Sequence, residues 1–62
     1  MNSNQVNFVR YYCRMLEKYL SGKFPEEKIV SLGTDLRMLE KEFPSEVRRE
    51  CWNWHKRNNS CV

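Results

Sequence analysis

Glycine and proline are scarce in this sequence, with two of each among its 62 residues. A glycine-rich phosphate-binding loop is therefore excluded, because such a loop needs several glycines within a few positions. The sequence also lacks any apolar run long enough to cross a membrane. Its first part contains no uninterrupted apolar stretch of the kind that a secretion signal needs, so we expect a cytoplasmic protein without a membrane partner.

Cysteine occurs three times, as Cys13, Cys51 and Cys61. This odd number shows no disulfide-framework spacing, which favours a reducing compartment. Together with His55, the three cysteines would make a full set of zinc ligands, but the close Cys-x-x-Cys pair of a structural zinc site is missing. We therefore predict neither a bound metal nor a cofactor.

One pair of residues suggests nucleophilic chemistry, since Cys51 and His55 lie one helical turn apart. A cysteine nucleophile needs a histidine base and a third group that orients the imidazole. The sequence supplies no such group, and Cys51 falls on an apolar stripe, where cysteine usually packs in the core. We predict that the protein is not an enzyme.

Charged residues of both signs make up 31% of the sequence and leave a net charge of +3. This balance permits an acidic partner without requiring one. A chain of 62 residues has room for one domain, residues 1–62, and buries only about 60% of its unfolded surface. Its stability therefore depends on tight packing of aromatic and aliphatic side chains.

Apolar residues at helical spacing predict a first helix over residues 3–21. One stripe repeats every three or four positions: Val6, Val9, Cys13, Leu16 and Leu20. A second row runs beside it: Phe8, Tyr12, Met15 and Tyr19. Such a wide apolar face is typical of a helix that packs against two neighbours. Arg10, Arg14 and Lys18 line the remaining side, and Gly22 ends the helix.

A second helix is predicted over residues 25–43. It begins after Phe24, where Pro25 and the two glutamates that follow it suit a first helical turn. Its apolar stripe keeps its phase throughout: Ile29, Leu32, Leu36, Leu39 and Phe43. We therefore predict one continuous helix, with a break at Gly33 and a cap at Thr34 as the alternative.

A third helix is predicted over residues 44–57, followed by a loose tail over residues 58–62. Its core stripe consists of Val47, Cys51 and Trp54. The short connections around Gly22 and Pro44 predict an all-α fold, a small three-helix antiparallel bundle in up-down-up order. A helical hairpin that self-associates as a dimer is the alternative.

The third helix also carries the best candidate for a binding surface. Trp52 points away from the core stripe and has cations within one turn: Arg48, Arg49 and Lys56. The indole could stack on a base while the cations contact phosphates, or it could anchor a protein interface. It could also lie over an edge of the bundle, with the stem of Arg48 packed on its ring.

The second row of the first helix also has two interpretations. In a monomeric bundle it packs on the third helix. If the third helix docks elsewhere, the row becomes an exposed interface for a partner or a second copy. Its members would then all be interface residues: Phe8, Tyr12, Met15 and Tyr19.

These features favour a small non-catalytic regulatory or adaptor protein that binds another protein through the third helix and the aromatic side of the first. The alternative is a nucleic-acid-binding regulator. Its binding residues would be Arg48, Arg49, Trp52, Lys56 and Arg57, supported by Arg10 and Arg14. The cationic stripe of the first helix supports this function only if it lies on the same side of the folded bundle as Trp52 and the cations around it.

Overall fold

Three helices packed against one another form the protein in the computed structural model, which describes residues 1–59 except the side chains of residues 58 and 59. The helices are α1 (Ser3–Leu20), α2 (Glu26–Glu42) and α3 (Pro44–Asn59). The predicted all-α class and the three helices are confirmed. The predicted end of the third helix is wrong by two residues, because the backbone stays helical through Asn59. The rest of the predicted tail, residues 60–62, lies outside the described residues.

Both ends of α1 are closed by local hydrogen bonds. At its start, Asn2 and Gln5 form a capping box: the side chain of each accepts from the backbone N–H of the other at 2.9 Å. At its end, Gly22 has a φ of 76°. The N–H of Lys23 donates to the carbonyl of Lys18 at 2.8 Å, and that of Gly22 donates to Tyr19 at 2.9 Å. This Schellman arrangement explains why the helix stops beside a glycine.

α2 is one continuous helix across Gly33. The hydroxyl of Thr34 donates to the carbonyl of Val30 at 3.1 Å within the same helix, so Thr34 does not cap a new one. The helix ends at Glu42 and is capped by Phe43, whose N–H donates to the carbonyl of Leu39 at 2.9 Å before Pro44 begins α3. The predicted continuity is confirmed, and the alternative break is not formed.

The core is a small cluster to which every helix contributes. Val9 and Cys13 come from α1, Leu36 from α2 and Val47 from α3. Partly buried apolar side chains surround these four: Met1, Phe8, Tyr12, Leu39, Phe43, Cys51 and Trp54. The predicted stripes thus meet at the centre of the molecule, except that Leu20, at the last position of α1, is mostly exposed.

Polar contacts between α1 and α3 show that these two helices run in the same direction. The amino group of Met1, just before the start of α1, pairs with Glu46 near the start of α3. The indole of Trp54 donates to Glu17, and both of these residues lie further along their helices. An up-down-up bundle requires this of its first and third helices, while the antiparallel order and self-association stay predictions. The molecule is flat, measuring 32 × 30 × 16 Å.

Among residues 1–59, none of the helices is long and apolar enough to span a membrane.

Candidate nucleic-acid interface

A groove of about 290 Å³ runs between α1 and α3 and is lined by three arginines, two aromatic side chains and an asparagine. We call it the cationic groove and define it by its lining residues: Asn7, Arg10, Tyr11, Arg14, Trp54 and Arg57. A smaller hollow of about 130 Å³ adjoins it, where Glu50 and Asn53 join three residues of the same groove. Two helices therefore supply the side chains of the groove and of the hollow beside it.

Helical periodicity explains why these side chains gather at one place. Arg10 and Arg14 each follow a buried residue of α1, Val9 and Cys13, so both stand beside the core stripe. Arg57 follows the half-buried Trp54 by three positions and lies next to it on α3. Because the core stripes of α1 and α3 pack together, their flanking arginines meet above the seam.

Two polar contacts fix the floor of the cationic groove. The indole Nε1 of Trp54 donates a hydrogen bond to the Oε1 atom of Glu17 at 2.9 Å. The Nε of Arg10 forms an ion pair with Glu50 at 3.6 Å. The ion pair offsets part of the charge of both Arg10 and Glu50, whereas the neutral indole leaves the charge of Glu17 in place.

Charge is distributed unevenly over the three helices. α1 and α3 together carry seven cationic side chains and three carboxylates, whereas α2 carries three cationic side chains and five carboxylates. The modest net charge of +3 therefore hides a positive side, formed by α1 and α3, and a negative side, formed by α2. The cationic groove lies between the two helices that form the positive side.

The structure divides the predicted set of nucleic-acid-binding residues into two groups. Arg10, Arg14 and Arg57 share the cationic groove. Trp52 lies five positions before Arg57, a rotation of about 140° around the helix axis, and its side chain is 67% exposed. The cations predicted beside Trp52 are exposed as well: Arg48, Arg49 and Lys56.

Sequence reasoning missed two residues of the cationic groove, Asn7 and Tyr11, and also Asn53 of the adjoining hollow. Tyr11 is partly exposed and lies one turn from both Asn7 and Arg14 on α1. The signal that could have found it is this spacing of three and four positions, which places an aromatic ring among polar side chains on a face away from both apolar rows.

The second apolar row of α1 contacts α2 as well as the core cluster. Phe8 shares a groove with Asp35 and Leu39, and Tyr12 approaches Gly33, where an added Cβ atom would lie 3.6 Å from the tyrosine hydroxyl. These contacts are with α2, while Phe8 and Tyr12 also pack against the core cluster to which α3 contributes Val47. Met15 is buried, and Phe8, Tyr12 and Tyr19 are half-buried. The row is therefore mainly part of the internal packing between α1 and α2.

Two thiols meet where α1 and α3 pack together. The S–H group of Cys13 donates a hydrogen bond to the sulfur of Cys51, with 3.8 Å between the sulfurs. This contact lowers the pKa of Cys51 from 9.0 to about 7, because it stabilises a negative charge on that sulfur, whereas burial opposes the shift. It raises the pKa of Cys13 far above its ordinary value, because loss of the proton would break the bond, and burial acts in the same direction.

The arrangement differs from both cysteine sites that the sequence suggests. Cys51 has a cysteine of another helix as its hydrogen-bond partner, and His55 is exposed one turn further along α3. Within residues 1–59, no three side chains among histidine, cysteine, aspartate and glutamate cluster closely enough to hold a metal ion. Cys61, the remaining ligand of the hypothetical zinc set, lies outside the described residues.

The fold and this surface define a small all-α protein with a cationic groove between its first and third helices. A scan against protein-family models found no match for the chain. Searches of curated proteins and of solved structures found no similar protein either. The proposals below therefore rest on the residues and their geometry.

Proposed function

We propose that this protein is a non-catalytic binding protein whose target is a single-stranded nucleic acid, held in the cationic groove. The observation that carries the proposal is the meeting of Arg10, Arg14 and Arg57, from two different helices, beside the exposed ring of Tyr11. Of the third-helix residues predicted to bind nucleic acid, Arg57 lines this groove, whereas Trp52 and the cations around it do not.

The chemistry of the groove suits a phosphate chain with unpaired bases. A guanidinium group presents five N–H donors in a planar fork and can hold a phosphate through two of them. The ion pair of Arg10 with Glu50 uses its Nε atom, and half of the Arg10 side chain remains exposed. Tyr11 offers an aromatic face on which a base can stack between these phosphate contacts.

A duplex fits this groove less well than a single strand. Helices that read duplex DNA enter the major groove with several side chains of one helix directed at base edges. Here the arginines flank a seam between two helices, and the aromatic residue needs an unstacked base as its partner. We therefore commit to a single strand and treat the duplex as an outcome of the test.

The test compares two double variants. One removes two positive charges from the cationic groove, and the other removes two from α2. We expect Arg10→Ala/Arg14→Ala to weaken binding of a labelled mixed-sequence single-stranded oligonucleotide by about tenfold or more at low salt, because two phosphate contacts are lost. The slope of log affinity against log salt should fall by about 0.7 for each lost contact. Fluorescence anisotropy over a salt series measures both quantities.

The matched control is Arg37→Ala/Lys41→Ala on α2, which lowers the net charge of +3 by the same two units. It should retain most of the affinity, because neither residue lines the cationic groove. Equal losses in both double variants would refute the groove and indicate unspecific attraction. Tighter binding of a duplex than of the single strand would refute the choice of target, as would the absence of any binding by the unchanged protein at low salt.

A second function, binding of another protein through the face of α3 around Trp52, is favoured by one observation. The Trp52 side chain is 67% exposed among exposed cations, and buried tryptophan and arginine side chains often dominate protein interfaces. We propose this face as the anchor for a protein partner if the nucleic-acid test fails.

Trp52→Ala is expected to abolish capture of such a partner from the native host while the helical circular dichroism signal stays unchanged. Met38→Ala is the matched control, because Met38 is also 67% exposed but lies on α2. Capture that survives Trp52→Ala, or that is lost equally in both variants, would contradict an anchor at Trp52. Unfolding of Trp52→Ala would show that this indole serves the fold.

A further inference from the structure

We infer that Cys13 and Cys51 form a redox-active dithiol that exchanges with low-molecular-weight disulfides and closes a covalent link between α1 and α3. The inference stands on the meeting of two thiols across the helix seam and does not depend on the proposed function. It concerns residues 13 and 51, which no part of the nucleic-acid proposal uses.

The geometry brings the two sulfurs close enough to join after a small movement. They lie 3.8 Å apart in a partly buried position, although 38 residues separate them along the chain. A disulfide bond is about 2.05 Å long, so the sulfurs must approach by about 1.8 Å. Rotation of the two side chains within the thin seam can supply a movement of this size without separating the helices.

The two cysteines differ in access, and the difference assigns their roles. Cys13 belongs to the core cluster and is only 5% exposed. Cys51 is half-buried and packs against that cluster from its edge, so its sulfur is more accessible than that of Cys13. An external disulfide can therefore reach Cys51 first, while Cys13 stands behind it in position for an internal attack.

Their hydrogen bond assigns the same roles. Cys13 donates its S–H to the sulfur of Cys51, so the thiolate forms on Cys51 while Cys13 keeps its proton. The thiolate is the attacking species in thiol–disulfide exchange, and attack is most effective when the pKa of the thiol lies near the ambient pH. A pKa of about 7 for Cys51 meets this condition.

The surrounding carboxylates oppose formation of the Cys51 thiolate, so the low pKa of Cys51 depends on the hydrogen bond from Cys13. The carboxylates of Glu40 on α2 and Glu50 on α3 both raise the pKa of Cys51, as does its burial. Glu17 of α1 acts in the same direction on Cys13. His55 is exposed one turn beyond Cys51 on α3. The donor from Cys13 outweighs these effects and keeps the pKa of Cys51 below 9.0.

The reaction balances in two exchanges with one small disulfide such as oxidised glutathione. The Cys51 thiolate attacks one sulfur, the glutathione S–S bond breaks, and the released glutathione thiolate takes up a proton. Cys13 then gives up its proton and attacks the sulfur of Cys51, and the second glutathione leaves as a thiol. Two protein thiols are oxidised to one disulfide while the external disulfide is reduced to two thiols.

The test uses the full chain with Cys61→Ser, so that a third thiol does not interfere. On incubation with oxidised glutathione, the protein should lose two hydrogens by mass spectrometry and show a Cys13–Cys51 link after proteolysis. With Cys13→Ser added, one glutathione should remain attached to Cys51. With Cys51→Ser added instead, Cys13 should react at least about tenfold more slowly, because it is buried.

Two results would overturn the inference. One is attachment of glutathione to both cysteines without the internal link. The other is equal reactivity of Cys13 and Cys51 in the single-thiol variants with unchanged circular dichroism. If the Cys13→Ser variant does not fold, Cys13→Ala replaces it, since alanine puts no polar group in the core position.

The pH dependence of alkylation by iodoacetamide checks the assignment of the nucleophile independently. The thiolate of Cys51 forms as the pH rises through its pKa, so the rate should reach half its maximum near pH 7. Cys13→Ala removes the hydrogen-bond donor and should move this midpoint upwards, towards 9.0 or beyond it. Cys13→Ser retains a donor and should move it less. An unchanged midpoint in Cys13→Ala would contradict the role of Cys13 as the donor.

Discussion

Replacing Leu36 with alanine should cost about 3 kcal/mol of the free energy of unfolding, which is a large part of the stability expected for a domain of this size. Leu36 is 9% exposed and is the contribution of α2 to the core cluster, where Val9 and Cys13 of α1 meet Val47 of α3. Truncation to alanine removes buried methyl groups and leaves a cavity where three helices meet. A flat molecule, 16 Å thick, has few neighbouring side chains that could fill it.

Urea unfolding measures this loss when it is followed by the helical circular dichroism signal. The matched control is Met38→Ala, two positions further along the same helix, because Met38 is 67% exposed. We expect the control to change the free energy of unfolding by less than about 0.5 kcal/mol. Similar losses in the two variants would contradict the position of Leu36 in the core.

Oxidation of the dithiol should raise the free energy of unfolding by about 4 kcal/mol. A link between Cys13 and Cys51 closes a loop in which the two residues are 38 positions apart, and the entropy that the unfolded chain loses on such closure gives this magnitude. The link also joins α1 to α3, the two helices that form the cationic groove. Both effects follow from the same pair of sulfurs.

The measurement compares urea unfolding of the Cys61→Ser protein before and after oxidation, with the link verified by mass spectrometry. The Cys13→Ser variant treated in the same way is the control, because it cannot form the internal link. The midpoint of the linked protein should move to a markedly higher urea concentration. An unchanged or lower midpoint would mean that strain in the folded state cancels the entropic gain and that the sulfurs do not join without distortion.

The helices could be predicted closely because their signals are local. Pro25 and Pro44 mark starts and Gly22 marks a stop, and each acts through backbone geometry within a few residues. The continuity across Gly33 was also predictable, since the apolar stripe keeps its phase there. The end of α3 was placed two residues early, because apolar periodicity ends before the helix does.

The candidate site could be predicted only in part, and the aromatic row shows the reason. Its spacing identified Tyr12 and Met15 as residues of an apolar face, but spacing does not say which neighbour covers that face. The structure places Tyr12 against Gly33 of α2. Likewise, the sequence places both Trp52 and Arg57 outside the core stripe of α3. Only Arg57 lines the groove between α3 and α1.

The sequence alone determined that this protein consists of three helices, where each begins and ends to within two residues, and most of the side chains that form the core, the predicted Leu20 being the exception. These properties depend on interactions between residues three or four positions apart. The tertiary structure decided which cations share a groove and that Cys13 meets Cys51. Such contacts depend on how whole helices pair and rotate against each other. This arrangement is determined by packing between side chains that are far apart in the chain.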